Sequence, residues 1–333
     1  MKKSVVILLA ATAMLAACNK EQKGKGGLLY TVHKDAGQAK IKEGDIVKID
    51  FIQKNDKDSI LDATYDVGFA RAFPVGKKQY SGDMNDVLTL FGEGDSVTFK
   101  LNIDTMLFYN KEPRPEKLKD QKYLTFTVKF QKVFAKKPNE ADTTFQKRAN
   151  EFFEADYKAT VEQNKKNEDS KIKKYIADNG LKVTTTPSGL QYVIKEAGQG
   201  PKPMMGDTAM VNYMGQLTNK RISGKLNVFD TNIEKVFREN LDPTAMRPFA
   251  PVPMPLAPNI AQGFVEALQL IGKGGKITAI MPSKLAYGEM GSMPVIPPYA
   301  PLVFDIEITD IKKGSGQAAP AAPVAPAVTP AGK

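Results

Sequence analysis

The chain has 333 residues but one cysteine, Cys18, one histidine, His33, and no tryptophan. A single thiol cannot close an intramolecular disulfide, and a Cys/His metal cluster is excluded. A Cys-His or Ser-His catalytic pair would depend wholly on His33, which stands in a polar stretch before Gly37 and reads as a solvated turn residue. Long apolar runs are missing as well. The one near the start, Val5 to Ala13, is too short to span a bilayer as a permanent helix. The formal net charge is +10, yet the lysines are scattered among acids, with no compact Lys/Arg block interleaved with aromatics. Nucleic-acid binding needs a concentrated patch, so it is not expected. What remains is ordinary globular composition, 42% hydrophobic and 25% charged, in a chain long enough for two or three domains.

The N-terminus reads as an address. Met1-Lys2-Lys3 precedes the short apolar run, which closes on Leu15-Ala16-Ala17-Cys18. That is the pattern of a secretion signal. A small-residue site ending in cysteine resembles the bacterial lipoprotein lipobox. The resemblance implies cleavage before Cys18 and acylation of its thiol and new amino group, which would hold the protein on a membrane. It places the protein in the bacterial cell envelope. Asn19 after the cysteine, rather than Asp, favours the outer membrane facing the periplasm, with the cell surface as the alternative. Residues 19–27 are polar and Gly-rich and read as a flexible tether.

Two stretches then match at a constant offset. Gly27-Leu28-Leu29-Tyr30 pairs with Gly189-Leu190-Gln191-Tyr192, and Ile46–Phe51 pairs with Thr208–Tyr213, each 162 positions apart. The register resumes 180 apart, where Gly92–Val97 pairs with Gly272–Ile277. This is a duplicated domain, not a short-period solenoid. Alternating runs such as Ile46–Phe51, Val97–Leu101 and Tyr123–Val128 predict half-buried strands. Gly263–Ile271 has helical spacing and stops at Gly272. Antiparallel strands with a short helix make each copy an α+β domain, expected over 28–136 and 181–313.

Between the copies, residues 139–180 predict helix. Phe145, Ala149, Phe152, Phe153, Tyr157 and Val161 recur at three- and four-residue steps, followed by Ile172, Tyr175 and Ile176. That apolar stripe needs a partner surface, either a domain of the same chain or a second copy in a homodimer. The tail, 314–333, is Ala/Pro-rich without apolar periodicity and reads as disordered.

The chemistry concentrates near the end of the second copy. Ala286-Tyr287-Gly288, Ile296-Pro297-Pro298 and Phe304 surround one hydroxyl with apolar groups, with no acid, base, thiol or imidazole among them. Such a pocket can bind and desolvate an apolar ligand but cannot run nucleophilic or proton-transfer chemistry. Taken singly, Phe304 and Ile260 read as core and Asp230 as a turn residue; only their joint placement says otherwise.

Residues 186–313 resemble FKBP-type peptidyl-prolyl cis-trans isomerases. The resemblance is carried by Val211–Leu217 with its Tyr213, by Phe229-Asp230 and by Arg247-Pro248-Phe249. Ile260-Ala261-Gln262-Gly263-Phe264, the Tyr287 and Ile-Pro-Pro segments and Phe304 complete it. Glu266–Leu270 is similar to the macrophage-infectivity-potentiator branch. What the resemblance implies is two such domains on an α+β fold, and isomerisation of X-Pro bonds in exported polypeptides without a cofactor. Tyr213, Phe229, Asp230, Tyr287 and Phe304 would be catalytic. Phe249, Ile260, Ala261, Phe264 and Ile296 would hold substrate. Tyr287 would donate to a substrate carbonyl with the Ala261 N–H as second donor, and Asp230 would orient the pocket wall by bonding Tyr213. The match departs from the family where Phe264 stands for its usual Trp and Ala261 for its Ile. An insertion from Ile233 to Pro258 lies beside the pocket. The first copy lacks the site: Phe51 replaces the tyrosine, Met84 falls at the floor, and Lys111–Glu116 is charged where the flap should be. It is expected to be catalytically silent. A chaperone-like binding scaffold with residual or no isomerase activity is the alternative reading.

Overall fold

The structure is a computed structural model that describes residues 20–242 and 246–314. The signal and lipobox at 1–18, the tail beyond Gly314 and Pro243 of the insertion lie outside the described residues. Among the described residues no helix is long and apolar enough to cross a membrane.

The chain divides into two compact units between Phe153 and Glu154. The first carries β1 (Gln22–Lys23), β2 (Leu29–Lys34), β3 (Ile46–Lys54), β4 (Ile60–Ala63), β5 (Arg71–Pro74), β6 (Ser96–Asn102) and β7 (Tyr123–Phe134). Three short helices join them: α1 (Thr64–Val67), α2 (Met84–Leu88) and α3 (Ile103–Asn110). A long helix, α4, runs from Asp142 to Asp178. The second unit carries β8 (Thr184–Thr185), β9 (Gln191–Glu196), β10 (Thr208–Leu217), β11 (Val228–Thr231), β12 (Val252–Pro255), β13 (Lys276–Met281) and β14 (Leu302–Lys312), with α5 (Glu234–Asn240) and α6 (Gln262–Leu268).

Both sheets are antiparallel and share one topology. The first runs β1-β2-β6-β7-β3-β4 with β5 also on β3; the second runs β11-β10-β14-β13-β9-β8 with β12 also on β10. The correspondence extends to irregularities. The β3–β7 ladder slips between Lys48 and Ile49, and the β10–β14 ladder slips between Met210 and Val211, the same 162 positions on. The pairings with β4 and β11 slip at Gln53/Lys54 and Gly215/Gln216, again 162 apart. A bulge re-aims a strand, so matched bulges give both sheets the same bends. Each sheet wraps its apolar face on a short helix, α2 with Val87 and Leu88 in the first, α6 with Phe264, Ala267 and Leu268 in the second.

The segment expected to be a tether is part of the first unit. Gln22 and Lys23 pair with Tyr30 and Leu29, and Leu28 is buried. Its glycines make a turn rather than a loose chain: Gly26 lies at φ 65°, and a Cβ there would stand 1.8 Å from the Ser81 carbonyl oxygen. Only glycine fits that combination.

Helix α4 serves both units with its own apolar residues. Phe145 and Ala149 are buried with Phe134, flanked by Phe152 and Phe153. Further along, Ile172 is buried with Ile280 and Val303, flanked by Tyr175 and Ile176. The helix stops where Gly180, at φ 60°, lets the Leu181 N–H reach back to the Ile176 carbonyl at 3.0 Å. Most of the stripe that suggested a homodimer is therefore covered by the chain itself, leaving Tyr157 exposed and Val161 half-buried. The C-terminal part of α4 belongs to the second unit, which thus starts well before residue 181.

Candidate functional site

The site builds from the register of three strands. Phe304 on β14 stands opposite Gly215 on β10 and opposite Ala279 on β13. Directly opposed residues of an antiparallel ladder share a face. A large ring flanked by two of the smallest residues leaves room above the sheet, and other aromatic rings enter it. Phe264 meets Phe304 edge-on at 5.1 Å, Phe229 meets it edge-on at 5.6 Å, and Tyr213 lies at 6.5 Å. Tyr213 and Phe264 close the set at 6.1 Å with rings at 89°. Edge-to-face pairs are worth roughly 0.5–1.5 kcal/mol each beyond burial. Gly215 is required by this approach: a Cβ there would lie 2.7 Å from atoms of both the Phe229 and Phe304 rings.

Seven of the expected residues come together here. Phe229, Phe264, Ile296 and Phe304 are buried in one apolar cluster, and Tyr213, Ile260 and Ala261 pack against it. Ile296 arrives from the flap between β13 and β14, where the Ser292 and Ile296 backbones bond to each other at 2.7 and 2.8 Å. Ala261 caps α6, and its carbonyl accepts from Phe264 at 2.9 Å and Val265 at 3.2 Å. Its own N–H takes part in neither bond.

The polar content is one pair and one hydroxyl. Tyr213 donates to Asp230 at 2.5 Å, so Asp230 is engaged with the wall of the pocket. Burial pushes the Tyr213 hydroxyl well above the usual tyrosine range, and the charge of Asp230 pushes it further. Burial also raises Tyr287, with Asp230 again adding to the rise, which puts that carboxylate and the Tyr287 hydroxyl in one electrostatic neighbourhood. Tyr287 stays 39% exposed at the rim. Both hydroxyls therefore remain protonated donors at neutral pH and neither serves as a base.

Phe249 is not part of the buried apolar cluster. It packs on Phe237 of α5 at 5.5 Å and makes no ring pair with Tyr213, Phe264 or Phe304. Arg247 lies over both rings, 4.6 Å from Phe237 and 5.3 Å from Phe249, and donates to the Thr231 carbonyl at 3.1 Å. The insertion thus spends its aromatic on its own helix. Asn232 ties it down: buried, it accepts from the Tyr213 N–H at 2.7 Å and donates to the Val211 and Ala250 carbonyls. Sequence reasoning gave no role to Gly215, Ala279, Asn232 or Arg247. The repeat offset could have found the first two, since it sets Gln53 against Gly215 and Phe99 against Ala279.

In the first unit the same positions are filled. Phe126 on β7 faces Gln53 on β3 and Phe99 on β6. Phe99 stacks on Phe126 at 5.4 Å, where the second unit has Ala279 opposite Phe304. The Arg71 guanidinium lies 4.9 Å over the Phe51 ring and pairs with Asp62, the register counterpart of Asp230, at 2.8 Å. Met106 of α3 and Phe126 both pack against a cluster of Ile103, Leu107, Leu118 and Leu124, the first three on the segment between β6 and β7 that corresponds to the flap of the second unit.

A family model described as FKBP-type peptidyl-prolyl cis-trans isomerase matches residues 37–131 and 199–309, one segment in each unit. A probable FKBP-type peptidyl-prolyl cis-trans isomerase of Haemophilus influenzae is 38% identical over 41% of this chain and 48% of its own length. The FKBP-type isomerase FkpA of Escherichia coli is 38% identical over 42% of this chain and 43% of its own length. A macrophage infectivity potentiator of Trypanosoma cruzi is 36% identical over 38% of this chain and 56% of its own length. The chain thus spans about half the length of the curated relatives it matches. The crystal structure of FkpA from Escherichia coli aligns with a TM-score of 0.40 and 32% identity, over 53% of this chain and 76% of that one.

Proposed function

The chain belongs to the FKBP-type peptidyl-prolyl cis-trans isomerase family, and from that premise we propose that the second unit isomerises X-Pro bonds while the first is a silent copy. The observation that carries this is the ring cluster of Tyr213, Phe229, Phe264 and Phe304 beside the Asp230 carboxylate that Tyr213 engages. Rotation about a prolyl bond faces a barrier of about 18–20 kcal/mol because amide resonance must be broken. No covalent bond changes, so neither a nucleophile nor a cofactor is called for. The twisted amide is less polarised than the planar one, and a dry aromatic pocket favours it over the ground state. In this reading Phe264 and Phe304 seat the proline ring, Ile260 and Ile296 wall it, and Tyr287 and the Ala261 N–H donate to substrate carbonyls. Asp230 holds the Tyr213 ring in place. Phe249 takes the role of stiffening the insertion through Phe237 and Arg247 rather than touching the proline.

Proline-containing exported polypeptides are the proposed substrates, and the address at 1–18 is the support for export. Lipid attachment at Cys18 rests on the lipobox resemblance and an outer-membrane position on Asn19 after it; mass spectrometry of the purified protein tests the first and membrane fractionation the second. A homodimer through 139–180 is a separate proposal, and sedimentation of the chain decides the point.

The function itself is tested on the full chain with a proline peptide. Wild type should speed cis-trans relaxation well above buffer, and Tyr287→Phe should lower kcat/KM about tenfold, the loss of one directed hydrogen bond, with Tm unchanged. A wild-type rate equal to buffer overturns the proposal. Suppression of aggregation of a proline-free client, unaffected by Tyr287→Phe, would instead support a holding function.

A further inference from the structure

The flap that carries Tyr287 is held from behind by α4. Ile280 and Val303, on the face of the sheet opposite Ala279 and Phe304, are covered by Ile172 of that helix. One turn before Ile172, the Glu168 carboxylate accepts the backbone N–H of Ser283, the second residue of the flap. Ser283 is the pivot of the flap backbone: its carbonyl accepts the N–H groups of Ala286 and of Gly288, both at 2.8 Å. Those are the residues on either side of Tyr287. The Gly288 carbonyl in turn accepts the Tyr299 N–H at 3.0 Å, and the Lys165 ammonium lies 5.5 Å over the Tyr299 ring. Lys165 and Glu168 are three apart and so share one face of the helix. One helix turn therefore touches the flap at its start and near its end, and each contact leads through backbone hydrogen bonds to the peptide units that aim Tyr287.

We infer that Glu168 is a positioning residue for the reaction: by fixing Ser283 it sets where the Tyr287 hydroxyl stands over the pocket. The inference rests on the isomerase reading for its catalytic half, and its structural half stands apart from it. A carboxylate receiving a backbone N–H is a strong, directed contact. Displacement of a catalytic donor by a fraction of an ångström is costly in rate, so a residue that never meets substrate can govern it.

The test uses the full chain and two readouts: isomerase kcat/KM, and hydrogen exchange of the peptide spanning 282–291. Glu168→Ala should lower kcat/KM about tenfold and speed exchange of that peptide. Glu168→Gln, whose amide oxygen still accepts from Ser283, should recover most of both. Ile172→Val is the control for loosened packing and should lower Tm while leaving exchange in 282–291 near wild type. Wild-type rate and exchange in Glu168→Ala overturn the inference. So does an equal loss of rate in Glu168→Gln with exchange unchanged, because charge rather than the hydrogen bond would then be at work. An inactive wild-type chain would overturn the isomerase reading and with it the catalytic half, while the exchange arm would still decide whether Glu168 holds the flap.

Discussion

Two sheets with the same strand order and the same bulges differ at a handful of register positions, and those positions decide which rings meet on each sheet. In the second unit a phenylalanine on β14 faces glycine and alanine; in the first, the phenylalanine at the same place on β7 faces glutamine and another phenylalanine. The glycine and alanine admit Tyr213, Phe229 and Phe264 around Phe304. The first unit stacks Phe99 on Phe126 and lays Arg71 across Phe51. In the proposed reading, a binding site on this scaffold comes from a lack of side chain at two opposed positions. Close packing is the default state of an interior, and the first unit has gone back to it.

The strongest way to break this comparison is to remove the shared phenylalanine from each sheet. Phe304→Ala should destabilise its unit by about 3–5 kcal/mol, the usual cost of a large ring taken from a core, and Phe126→Ala, at a half-buried ring, by less. Only Phe304→Ala should abolish isomerase activity, leaving the uncatalysed rate. Equal loss of activity in Phe126→Ala, measured on the full chain under conditions where both variants remain folded, would show that the first unit is not silent.

The duplication and the strands were legible in the sequence because a period-2 pattern and a fixed offset survive divergence: Ile46–Phe51 and Thr208–Tyr213 both become central strands. The ring set was legible in part, since Tyr213, Phe229, Phe264, Ile296 and Phe304 are all drawn into one cluster. Phe249 was not. A ring in a Pro-rich insertion has several partners within reach, and nothing local says that α5 will form and offer Phe237. The tether failed for a related reason. Glycine and lysine look alike in a flexible chain and in a tight turn, and only the close approach of Ser81 to Gly26 distinguishes them. The hold of Glu168 on Ser283, 115 positions along the chain, leaves no trace in any window of sequence.

A smaller perturbation sharpens the contrast at one atom. Gly215→Ala places a methyl group 2.7 Å from the Phe229 and Phe304 rings, and those rings must move. Overpacking of this kind costs about 1–3 kcal/mol. The displaced rings are the pocket walls, so kcat/KM should fall at least about tenfold. The counterpart Gln53 already carries a side chain, and Gln53→Ala should stay within about 0.5 kcal/mol of wild type with activity unchanged. Chemical denaturation and the proline-peptide assay together read all four quantities. A fully active Gly215→Ala would mean that the rings are not held as tightly as the opposed register implies.

The smallest expected difference lies at the acidic residue that opens β3 and β10. Asp45 and Asp207 both accept a backbone N–H three residues earlier, from Lys42 at 2.8 Å and from Met204 at 2.9 Å. Each also accepts a backbone N–H from the second residue after its unit's last strand, Asp45 from Lys136 at 3.3 Å and Asp207 from Gly314 at 3.0 Å, and the second unit adds the Lys313 ammonium on Asp207 at 2.8 Å. The hydrogen bond from Lys313, with those from Met204 and Gly314, holds the Asp207 carboxyl at about 2, below its ordinary 3.8. A folded value below the unfolded one means that the unfolded chain binds the proton first as pH falls. The contribution of Asp207 is therefore complete above 3.8 and drains away as pH drops toward 2. Denaturation midpoints of wild type and Asp207→Asn should differ by a constant amount from pH 7 down to about 4 and converge by about pH 2. The Lys313 pair is exposed on its lysine side, so high salt should shrink the gap. A gap that persists unchanged at pH 2 would mean that Asp207 holds the strand ends by shape and neutral hydrogen bonds, and that the two units do not differ here in charge.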